Sequence, residues 1–507
     1  MTTHTYYVTT PIYYVNDTPH VGHAYTTILA DALTRYQRLL GREAFLLTGV
    51  DEHGQKVART AEAHGISPQA QADRTVVRFL RLWERLGIAY DDFIRTTEPR
   101  HVRVVQDALR VLYERGDIYR GAYTGRYCVP CERFLADGEL ADGRCPDCGR
   151  AVERIREEAY FFRQSRYQDW LREHIEHNPG FIRPAFRRNE TLGFLRKPLR
   201  DLCISRPVSR LSWGIALPFD PAYVCYVWFD ALLNYVSGAG YGYDAARFER
   251  CWPADCHLIG KDILTTHTVY WPCILRALDL PLPRSIVAHG WWLVEGEKVS
   301  KSKGNAVDPF ELVARLGVDA FRYLLCADLT PGNDGTFSPE RLVERYHADL
   351  AGGYGNLVSR VLSLVHRYCD ARVPTVNRDE TQHLGVHTAI HSAVACVPGA
   401  VDELRLDTVC AQVRALVDCC NRCLAEQRPW EEANAAQRPR VVRAVLDGVL
   451  AATVLLLPIA PDTATRVLTL LGVPAADWDL GALQDAARGL HAEATVGEPL
   501  VLFPRVK

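Results

Sequence analysis

The sequence lacks long apolar runs, and no segment approaches the roughly 18 consecutive apolar residues that a membrane-spanning helix needs. Its first residues, Met1-Thr2-Thr3-His4-Thr5, also lack the basic start and the apolar core of a secretory signal. These two absences argue against a membrane protein and against a secreted one. We therefore expect a cytoplasmic protein that does not bind a membrane.

An excess of charge of one sign is also missing, because the formal net charge is −2 at pH 7. A global electrostatic attraction to nucleic acid is thereby excluded, and any RNA contact needs local basic surface. Methionine is scarcer still, since Met1 is the only one in the chain. Compositional bias is one explanation, and a chain whose synthesis spares methionine is the other. Measuring the level of the protein under methionine limitation would distinguish them.

What is present indicates a folded protein with several domains. At 507 residues the chain is too long for a single hydrophobic core. Its 48% hydrophobic and 24% charged content is typical of ordinary folded proteins. The 16 cysteines stand in a long chain without a signal, which favours reduced thiols and metal ligands over disulfides.

The N-terminal stretch alternates strand and helix signals. Residues 6–8 are a short β-prone run, and residues 22–40 carry apolar side chains at helical spacing, with Gly41 where a helix end would be capped. Residues 44–47 then predict a buried strand, and residues 48–51 a polar turn. Strand, helix and strand at this spacing indicate an α/β fold with a parallel sheet and crossover helices.

Two changes of character follow along the chain. From about residue 118 the regularity breaks into a segment with many turn residues and basic side chains, which we interpret as an insertion. The α/β pattern resumes near residues 224–229 and 256–260. After about residue 349, long helical patterns such as residues 441–457 dominate and predict a helical C-terminal domain.

One motif, His20-Val21-Gly22-His23, falls between a predicted strand and a predicted helix. Backbone N–H groups at a helix start suit a phosphate, and Gly22 would let a ligand approach the backbone closely. The two imidazoles can donate hydrogen bonds to phosphate oxygens as charge develops. Alone, the motif fits equally a helix-start turn with surface histidines.

A second motif is Lys298-Val299-Ser300-Lys301-Ser302, which continues into Lys303-Gly304-Asn305. Lysines among serines, ending in a turn, form a cationic loop suited to a polyphosphate. A solvated run of charge is the alternative for this motif in isolation. Chance rarely gives both motifs in one chain.

Four cysteines form two closely spaced pairs, Cys128-Val129-Pro130-Cys131 and Cys145-Pro146-Asp147-Cys148. Two such turns bring four thiolates together in the tetrahedral S4 arrangement that Zn2+ prefers. Because four protein ligands leave no open position, the zinc is expected to be structural. Empty reduced pairs or disulfides are the alternatives.

The histidine motif and the lysine motif together resemble the signatures of class I aminoacyl-tRNA synthetases. Within that class, further segments resemble the methionyl-tRNA synthetase family. The resemblance covers nearly the whole chain. The further segments are Tyr7-Val8-Thr9-Thr10-Pro11-Ile12-Tyr13-Tyr14-Val15-Asn16, Thr48-Gly49-Val50-Asp51-Glu52-His53-Gly54, Tyr226-Val227-Trp228-Phe229-Asp230-Ala231-Leu232 and His257-Leu258-Ile259-Gly260-Lys261-Asp262-Ile263.

This resemblance implies a Rossmann-like parallel-sheet catalytic domain with a zinc-knuckle insertion, followed by an all-α anticodon-binding domain. It implies ATP-dependent activation of L-methionine to methionyl-adenylate and transfer to the 3′-terminal ribose of tRNA(Met), with release of pyrophosphate and AMP. The expected domains are residues 1–117 and 226–348 for the two catalytic halves, 118–225 for the connective insertion and 349–507 for the helical domain.

The resemblance also assigns roles in ATP binding. His20 and His23 would contact the ATP phosphates, and Lys298 and Lys301 would hold the departing pyrophosphate. Mg2+ would accompany the ATP rather than occupy a dedicated protein site. The other expected ATP-binding residues are Gly22, Gly260, Lys261, Asp262 and Arg206.

For methionine, the resemblance implies a pocket with aromatic walls, which suit a thioether. Asp51 would bind the substrate ammonium group. Leu232 stands where some relatives have proline, which leaves the fine shape of the pocket open. Each aromatic residue, taken alone, fits an ordinary core equally well. The other expected pocket residues are Ile12, Tyr14, Trp228, Ala231, Tyr235, Ile263, His267 and Trp271.

For the tRNA, the family pattern assigns the anticodon to Asn356, Arg360 and Trp430. Tryptophan can stack on an unpaired base, and asparagine and arginine can hydrogen-bond base edges. Some relatives dimerise through an added C-terminal RNA-binding domain. The chain ends soon after the helical region, so a monomer is expected.

Several rival functions share parts of this pattern. Leucyl, isoleucyl and valyl enzymes carry a large editing insertion that does not fit this length, and cysteinyl enzymes place zinc in the amino-acid pocket. A pantothenate-synthetase-like ligase needs no helical anticodon domain. An inactive paralogue that only binds tRNA is the alternative from another class, and the intact His20, His23, Lys298 and Lys301 argue against it.

Overall fold

The structure, a computed structural model, contains two compact units. The first comprises Met1–Pro19, Phe45–Leu82 and Tyr90–His289, and the second His20–Ala44, Trp83–Ala89 and Gly290–Lys507. The residues that the structure describes are 4–15, 18–128, 133–135, 140–146, 149–294, 297–298, 307–376, 378–474, 480–484 and 490–506.

The first unit is built on a seven-stranded sheet in which the paired strands with a known register run parallel. The predicted parallel sheet is thereby confirmed. Its strands are β1 (Tyr6–Thr9), β2 (Tyr13–Tyr14), β3 (Ala44–Asp51), β4 (Asp92–Arg95), β8 (Ile182–Arg183), β13 (Cys256–Gly260) and β14 (Ile286–His289). They lie in the order β2-β3-β1-β13-β14-β8. Strand β4 lies off this path and also pairs with β3.

Strand β3 corrects one prediction from the sequence. Residues 48–51, predicted as a polar turn, are the second half of this strand and are buried. At Gly49 a Cβ atom would lie 2.1 Å from the carbonyl oxygen of Ile94, so only glycine allows β4 to pack this closely. The glycine and threonine that suggested a turn therefore serve strand packing.

The helices of the first unit cover the sheet and contribute to one continuous apolar core. Parallel strands buried on both faces become nearly continuous apolar runs, as in β13, whose residues are all buried. The helices are α2 (Gln55–Ala63), α3 (Pro68–Arg85, which ends in the second unit), α4 (Pro99–Glu114), α5 (Gln168–His177), α6 (Ala185–Phe194), α7 (Val227–Leu232), α8 (Asn234–Ala239), α9 (Ala245–Cys251) and α10 (Trp271–Ala277).

The predicted insertion contains antiparallel pairs instead. One four-stranded sheet has the order β6-β5-β7-β9, and one three-stranded sheet has the order β10-β12-β11. The strands are β5 (Ile118–Cys128), β6 (Arg133–Leu135), β7 (Glu153–Phe162), β9 (Leu202–Cys203), β10 (Ser205–Pro207), β11 (Ala216–Leu217) and β12 (Asp220–Cys225).

The second unit is mainly helical. Predicted helices over residues 22–40 and 441–457 are observed as α1 and α17. Its helices are α1 (Val21–Leu39), α11 (Pro309–Leu316), α12 (Val318–Asp328), α13 (Pro339–Arg345), α14 (Asn356–Tyr368), α15 (Val386–Asp402), α16 (Leu406–Gln427), α17 (Arg438–Leu456), α18 (Pro461–Leu470) and α19 (Leu480–Gln484). A small sheet joins β15 (Trp292–Val294), β16 (Glu297–Lys298) and β17 (Gly335–Thr336).

The buried arginine Arg322 ties several segments of this unit together. Its guanidinium lies 2.5 Å from Asp31 of α1 and donates to the carbonyl oxygens of Leu86, Pro458 and Ile459. Nearby, the hydroxyl of Tyr36 donates to the carbonyl oxygen of Leu455 at 2.8 Å. A buried charge is tolerated because its donors meet acceptors. The position of α1 is therefore fixed by α12 and by the C-terminal helices.

Within the described part of the chain, we find no helix with both the length and the apolar character needed to cross a membrane.

Candidate functional site

The chain changes direction within the parallel sheet next to β1. From β1 it continues to β3 on one side and later to β13 and β14 on the other. Ligands of such sheets bind in the crevice at the carboxyl ends of the strands, where the strand order reverses. Asp51 at the end of β3 pairs with Tyr14 of β2, and Gly260 ends β13. These strand ends define the candidate site of the first unit.

Four aromatic rings, Tyr235, His257, His267 and Trp271, form what we call the aromatic chamber. The centroid of the Tyr235 ring lies 4.2 Å from that of His257, 5.7 Å from His267 and 5.8 Å from Trp271. All four side chains are buried. The helical segment 264–277 supplies two of them through a π-helical turn, Thr266–Tyr270, followed directly by α10.

Hydrogen bonds fix the tautomers of the two histidines in the chamber. Because the carbonyl oxygen of Ile263 can only accept, Nδ1 of His267 carries the proton, and Nε2 accepts from the Tyr235 hydroxyl at 2.7 Å. The indole N–H of Trp271 donates to Nε2 of His257 at 3.2 Å, so Nδ1 of His257 donates to the hydroxyl of Thr9 at 2.7 Å. Each ring is thus held in one orientation.

The chamber is uncharged at neutral pH. Burial lowers the pKa of His267 to about 4. Burial and the neighbouring His267 hold the pKa of His257 well below its usual range. Burial also raises the pKa of the Tyr235 hydroxyl, which stays protonated. A neutral, polarizable aromatic wall suits a soft apolar group such as a thioether.

The other residues predicted for methionine lie on the elements around this chamber. Trp228, Ala231 and Leu232 share the short helix α7. Leu232 belongs to the same core as Tyr235 and Trp271, with Ile12 and Ile263 packed against that core. Tyr14 and Asp51 occupy neighbouring strand ends, and Asp51 is 7% exposed.

The residues predicted near ATP in the first unit occupy two places. Gly260 ends β13, and Lys261 and Asp262 begin the following 3-10 turn. A Cβ at position 260 would lie 2.5 Å from Oδ1 of Asp262, so a side chain there would displace Asp262. Arg206 is 2% exposed, 4.2 Å above the Tyr226 ring. Its guanidinium also donates to the carbonyl oxygen of Ser205 at 2.8 Å.

In the second unit, His20 and His23 cap the start of α1. The Gly22 N–H donates to Nδ1 of His20 at 3.0 Å, and the His20 N–H donates to Nδ1 of His23 at 3.1 Å. Their rings lie 3.9 Å apart. With Nδ1 accepting, each neutral imidazole carries its proton on Nε2, which is then a donor.

The lysine motif is described only in part. Lys298 is the last residue of β16, whose backbone pairs with β15 at Leu293. Lys301 lies outside the described residues. The structure therefore locates the start of the motif at the last residue of β16, in the second unit.

Of the four predicted zinc ligands, Cys128 and Cys145 are described, and Cys131 and Cys148 are outside the described residues. Both described cysteines are fully buried in one small cluster with Leu135. The carbonyl oxygen of Cys145 accepts from the Gly149 N–H at 2.8 Å. Among described residues, no group of three or more His, Cys, Asp and Glu side chains could hold a metal ion.

The residues predicted for the anticodon lie together on what we call the Trp430 surface, made of Asn356, Arg360, Tyr368, Trp430 and Arg438. Trp430 and Asn356 are exposed, and the Arg360 guanidinium lies 5.9 Å from the Trp430 ring. The guanidinium of Arg438 donates to the carbonyl oxygen of Pro429 at 2.6 Å and lies 4.1 Å from the Tyr368 ring. The structure thus brings the three predicted residues to one basic, aromatic surface.

The structure adds residues for which the sequence analysis predicted no role. His257 orients Trp271, and Asp230 bridges two buried histidines, His53 and His101. His257, Asp230 and His53 stand inside motifs that carried the family resemblance, and that was their only signal. Nothing in the sequence marks His101.

Comparison with known proteins gives the class first. The family model for class I tRNA synthetases, described as "tRNA synthetases class I (M)", matches residues 6–155 and 150–362. Together with the parallel sheet and its crevice, this match defines a class I tRNA synthetase.

Individual relatives then specify the family. The methionine–tRNA ligase of Clostridium acetobutylicum is 43% identical over 99% of this chain and 78% of its own. That of Streptomyces coelicolor is 44% identical over 99% and 97%. A crystal structure of Mycobacterium tuberculosis methionyl-tRNA synthetase bound by methionyl-adenylate matches with a TM-score of 0.93 and 38% identity, covering 99% and 100% of the two chains. The chain belongs to the methionine–tRNA ligase family.

Proposed function

We propose that the protein is a methionine–tRNA ligase. It uses ATP to convert L-methionine into methionyl-adenylate, and it transfers the methionyl group to the 3′-terminal ribose of tRNA(Met). The observation that carries the proposal is the buried and neutral aromatic chamber, in a chain related to methionine–tRNA ligases over its full length.

Activation needs no nucleophile from the protein, because the methionine carboxylate attacks the α-phosphate of ATP and pyrophosphate leaves. The contribution of the protein is to position the reactants and to stabilise developing charge. Asp51 binds the ammonium group. The side chain of methionine enters the pocket lined by the aromatic chamber and by Ile12, Tyr14, Trp228, Ala231, Leu232 and Ile263.

The phosphates of ATP bind at the start of α1. The N-terminal end of a helix favours an anion, and Gly22 keeps the backbone accessible. Because Nδ1 of both His20 and His23 accepts from the backbone, the proton of each neutral ring is on Nε2, which would donate to a phosphate oxygen. These two donors stabilise charge on the phosphates during displacement.

Further ATP contacts come from the other predicted residues. Lys298 and Lys301 hold the departing pyrophosphate, and Gly260, Lys261 and Asp262 lie along the adenosine. Arg206 is a further phosphate candidate. Mg2+ enters with ATP, since it binds mainly phosphate oxygens and water. It supplies neutralising charge to the phosphates.

One Zn2+ is proposed for Cys128, Cys131, Cys145 and Cys148. The burial of Cys128 and Cys145 in one cluster supports this proposal, because it joins the two halves of the ligand set. Four thiolates fit zinc and leave no position for substrate. The metal would stabilise the insertion and take no part in the reaction.

The tRNA anticodon is proposed to bind at the Trp430 surface. An exposed indole beside Arg360 offers a stacking face, and Asn356 offers hydrogen bonds to base edges. The proposed domains are residues 1–117 and 226–348 for catalysis, 118–225 for the insertion and 349–507 for the anticodon. A monomer acting in the cytoplasm, where charged tRNA is used, completes the proposal.

The test is methionine-dependent exchange between ATP and radiolabelled pyrophosphate, using the purified protein. We expect exchange with methionine and none with leucine, because leucine lacks the thioether and the length that the pocket accommodates. Absence of exchange with methionine, or equal exchange with leucine, would overturn the assignment.

A further inference from the structure

Outside the aromatic chamber, the first unit contains a second buried network in which one carboxylate lies between two imidazoles. Oδ2 of Asp230 is 2.6 Å from Nδ1 of His53, and Oδ1 is 2.8 Å from Nε2 of His101. The side-chain exposures of His53, His101 and Asp230 are 7%, 0% and 0%. Nothing in the proposed chemistry requires these three groups.

The carboxylate of Asp230 stays ionised in this environment. Burial by itself raises its pKa, but the two facing histidines outweigh burial, and the pKa of Asp230 is lowered overall. An ionised carboxylate accepts one N–H on each oxygen. Such charge-assisted hydrogen bonds are short, directional and roughly twice as strong as neutral ones.

Both histidines are held from their other sides. Nδ1 of His101 lies 3.0 Å from the hydroxyl of Ser237 in α8. The His53 ring packs edge-on against Trp213 at 5.2 Å, and the indole N–H of Trp213 donates to the carbonyl oxygen of Glu52 at 2.6 Å. The network is therefore anchored at both ends and cannot shift without breaking several bonds.

The network joins the elements that carry the proposed methionine pocket. His53 follows Asp51 by two residues at the end of β3. Asp230 lies in α7 between Trp228 and Ala231, and Ser237 lies in the helix that carries Tyr235. The ammonium ligand and the side-chain pocket thus stand on separate elements, and the bridge between those elements is Asp230.

We propose that Asp230, held between His53 and His101, is a positioning residue for methionine. It fixes the separation between the ammonium site at Asp51 and the side-chain pocket on α7 and α8, and it does so without touching the substrate. This inference rests on the proposed function and adds to it what determines the fit of the amino acid. An error of a fraction of an ångström in this separation weakens a site that binds both ends of a small ligand.

A matched pair of variants at His53 tests the proposal. His53→Asn keeps an amide N–H near the position of Nδ1, whereas His53→Leu fills similar space without a donor. In methionine-dependent pyrophosphate exchange by the full chain, we expect His53→Leu to raise the KM for methionine about tenfold or more, the usual result of losing a hydrogen bond to a charged group. The KM for ATP should not change, and His53→Asn should restore the KM for methionine.

A second pair at His101 guards against poor folding of one variant. His101→Gln keeps an N–H near Nε2, and His101→Leu removes it, so the same contrast is expected. The proposal would be overturned if His53→Asn and His53→Leu had equal KM values for methionine, or if His101→Gln and His101→Leu did. Parallel rises in both KM values with an equal loss of thermal stability would also overturn it, since that result marks a purely structural role. If the unaltered protein shows no methionine-dependent exchange, the proposed function itself fails.

Discussion

The aromatic chamber and the Trp430 surface, the proposed sites for methionine and for the tRNA anticodon, differ in burial and in charge. In the chamber every ring is buried, each histidine is neutral, and hydrogen bonds fix each tautomer. On the Trp430 surface the indole is 41% exposed and lies among arginines that keep their charge. The side chains of the chamber are held in fixed orientations without a ligand. The Trp430 surface instead exposes charge and a stacking face that would suit a flexible ligand. Preorganisation suits a small amino acid, and adaptable stacking suits an RNA loop.

The largest effect should come from removing the carboxylate charge of Asp51. Asp51→Asn should lower kcat/KM for methionine in pyrophosphate exchange by about 100-fold or more, because truncating one partner of a buried charge pair costs several kcal/mol. Asp107→Asn, an exposed carboxylate on α4, is the control and should have no effect. A normal kcat/KM for methionine in Asp51→Asn would show that Asp51 does not bind the substrate ammonium group.

A substitution on the Trp430 surface should act on tRNA alone. Trp430→Ala should lower kcat/KM for tRNA charging by about 10- to 100-fold, the cost of losing a stacked base, while pyrophosphate exchange stays unchanged. Trp430→Phe, which keeps a stacking face, should recover most of the loss. Loss of pyrophosphate exchange in Trp430→Ala would show that the Trp430 surface does not act on tRNA alone.

The segment that carries Trp430 should be sensitive to its support. Arg438→Gln removes the cation from the Tyr368 ring and the donor to Pro429, so Trp430 loses its fixed orientation. We expect kcat/KM for tRNA charging to fall by roughly fivefold, with unchanged exchange. Arg440→Gln, which removes an exposed arginine paired with Glu380, is the matched control. Equal losses in both variants would indicate a general effect of charge.

The last effect concerns the pH dependence of stability rather than catalysis, and it belongs to the chamber. The pKa of His267 is about 4 when folded against an ordinary 6.5, so between these values the unfolded chain binds the extra proton and stability rises with pH. The neutral His267 thus costs stability as pH falls from 6.5 toward 4, by up to about 3 kcal/mol. His267→Gln should flatten this part of the pH profile of thermal unfolding. An unchanged slope would mean that other groups dominate it.

Much of the fold followed from local patterns, and the exceptions have physical reasons. Strands β1 and β13 and helices α1 and α17 were predictable because periodicity and end signals agreed. Residues 48–51 were mispredicted, since only the packing of β4 on Gly49 turns a turn-like sequence into a strand. Local chemistry cannot reveal a neighbour that is distant in sequence.

The residues of the candidate site were likewise predictable only in part. His20 and His23 were found from their spacing, but their capping bonds through Nδ1 follow from the helix geometry alone. His101 could not be predicted, because its partner Asp230 is 129 residues away and its own surroundings resemble any helix face. The role of His101 is therefore visible only in its tertiary contacts.

The bonds of Arg322 and Tyr36 have a consequence for synthesis on the ribosome. Asp31 emerges 291 residues before Arg322, and Tyr36 emerges 419 residues before Leu455. A nascent chain that stops short of Leu455 therefore carries α1 without the acceptor of Tyr36, and it carries Arg322 without the carbonyl oxygens of Pro458 and Ile459. Since domains fold as units once their chain is available, the helix start with His20 and His23 gains its final anchorage only near the end of translation. Truncated products would then reach the cell without a firmly seated α1, the helix at which phosphate is proposed to bind.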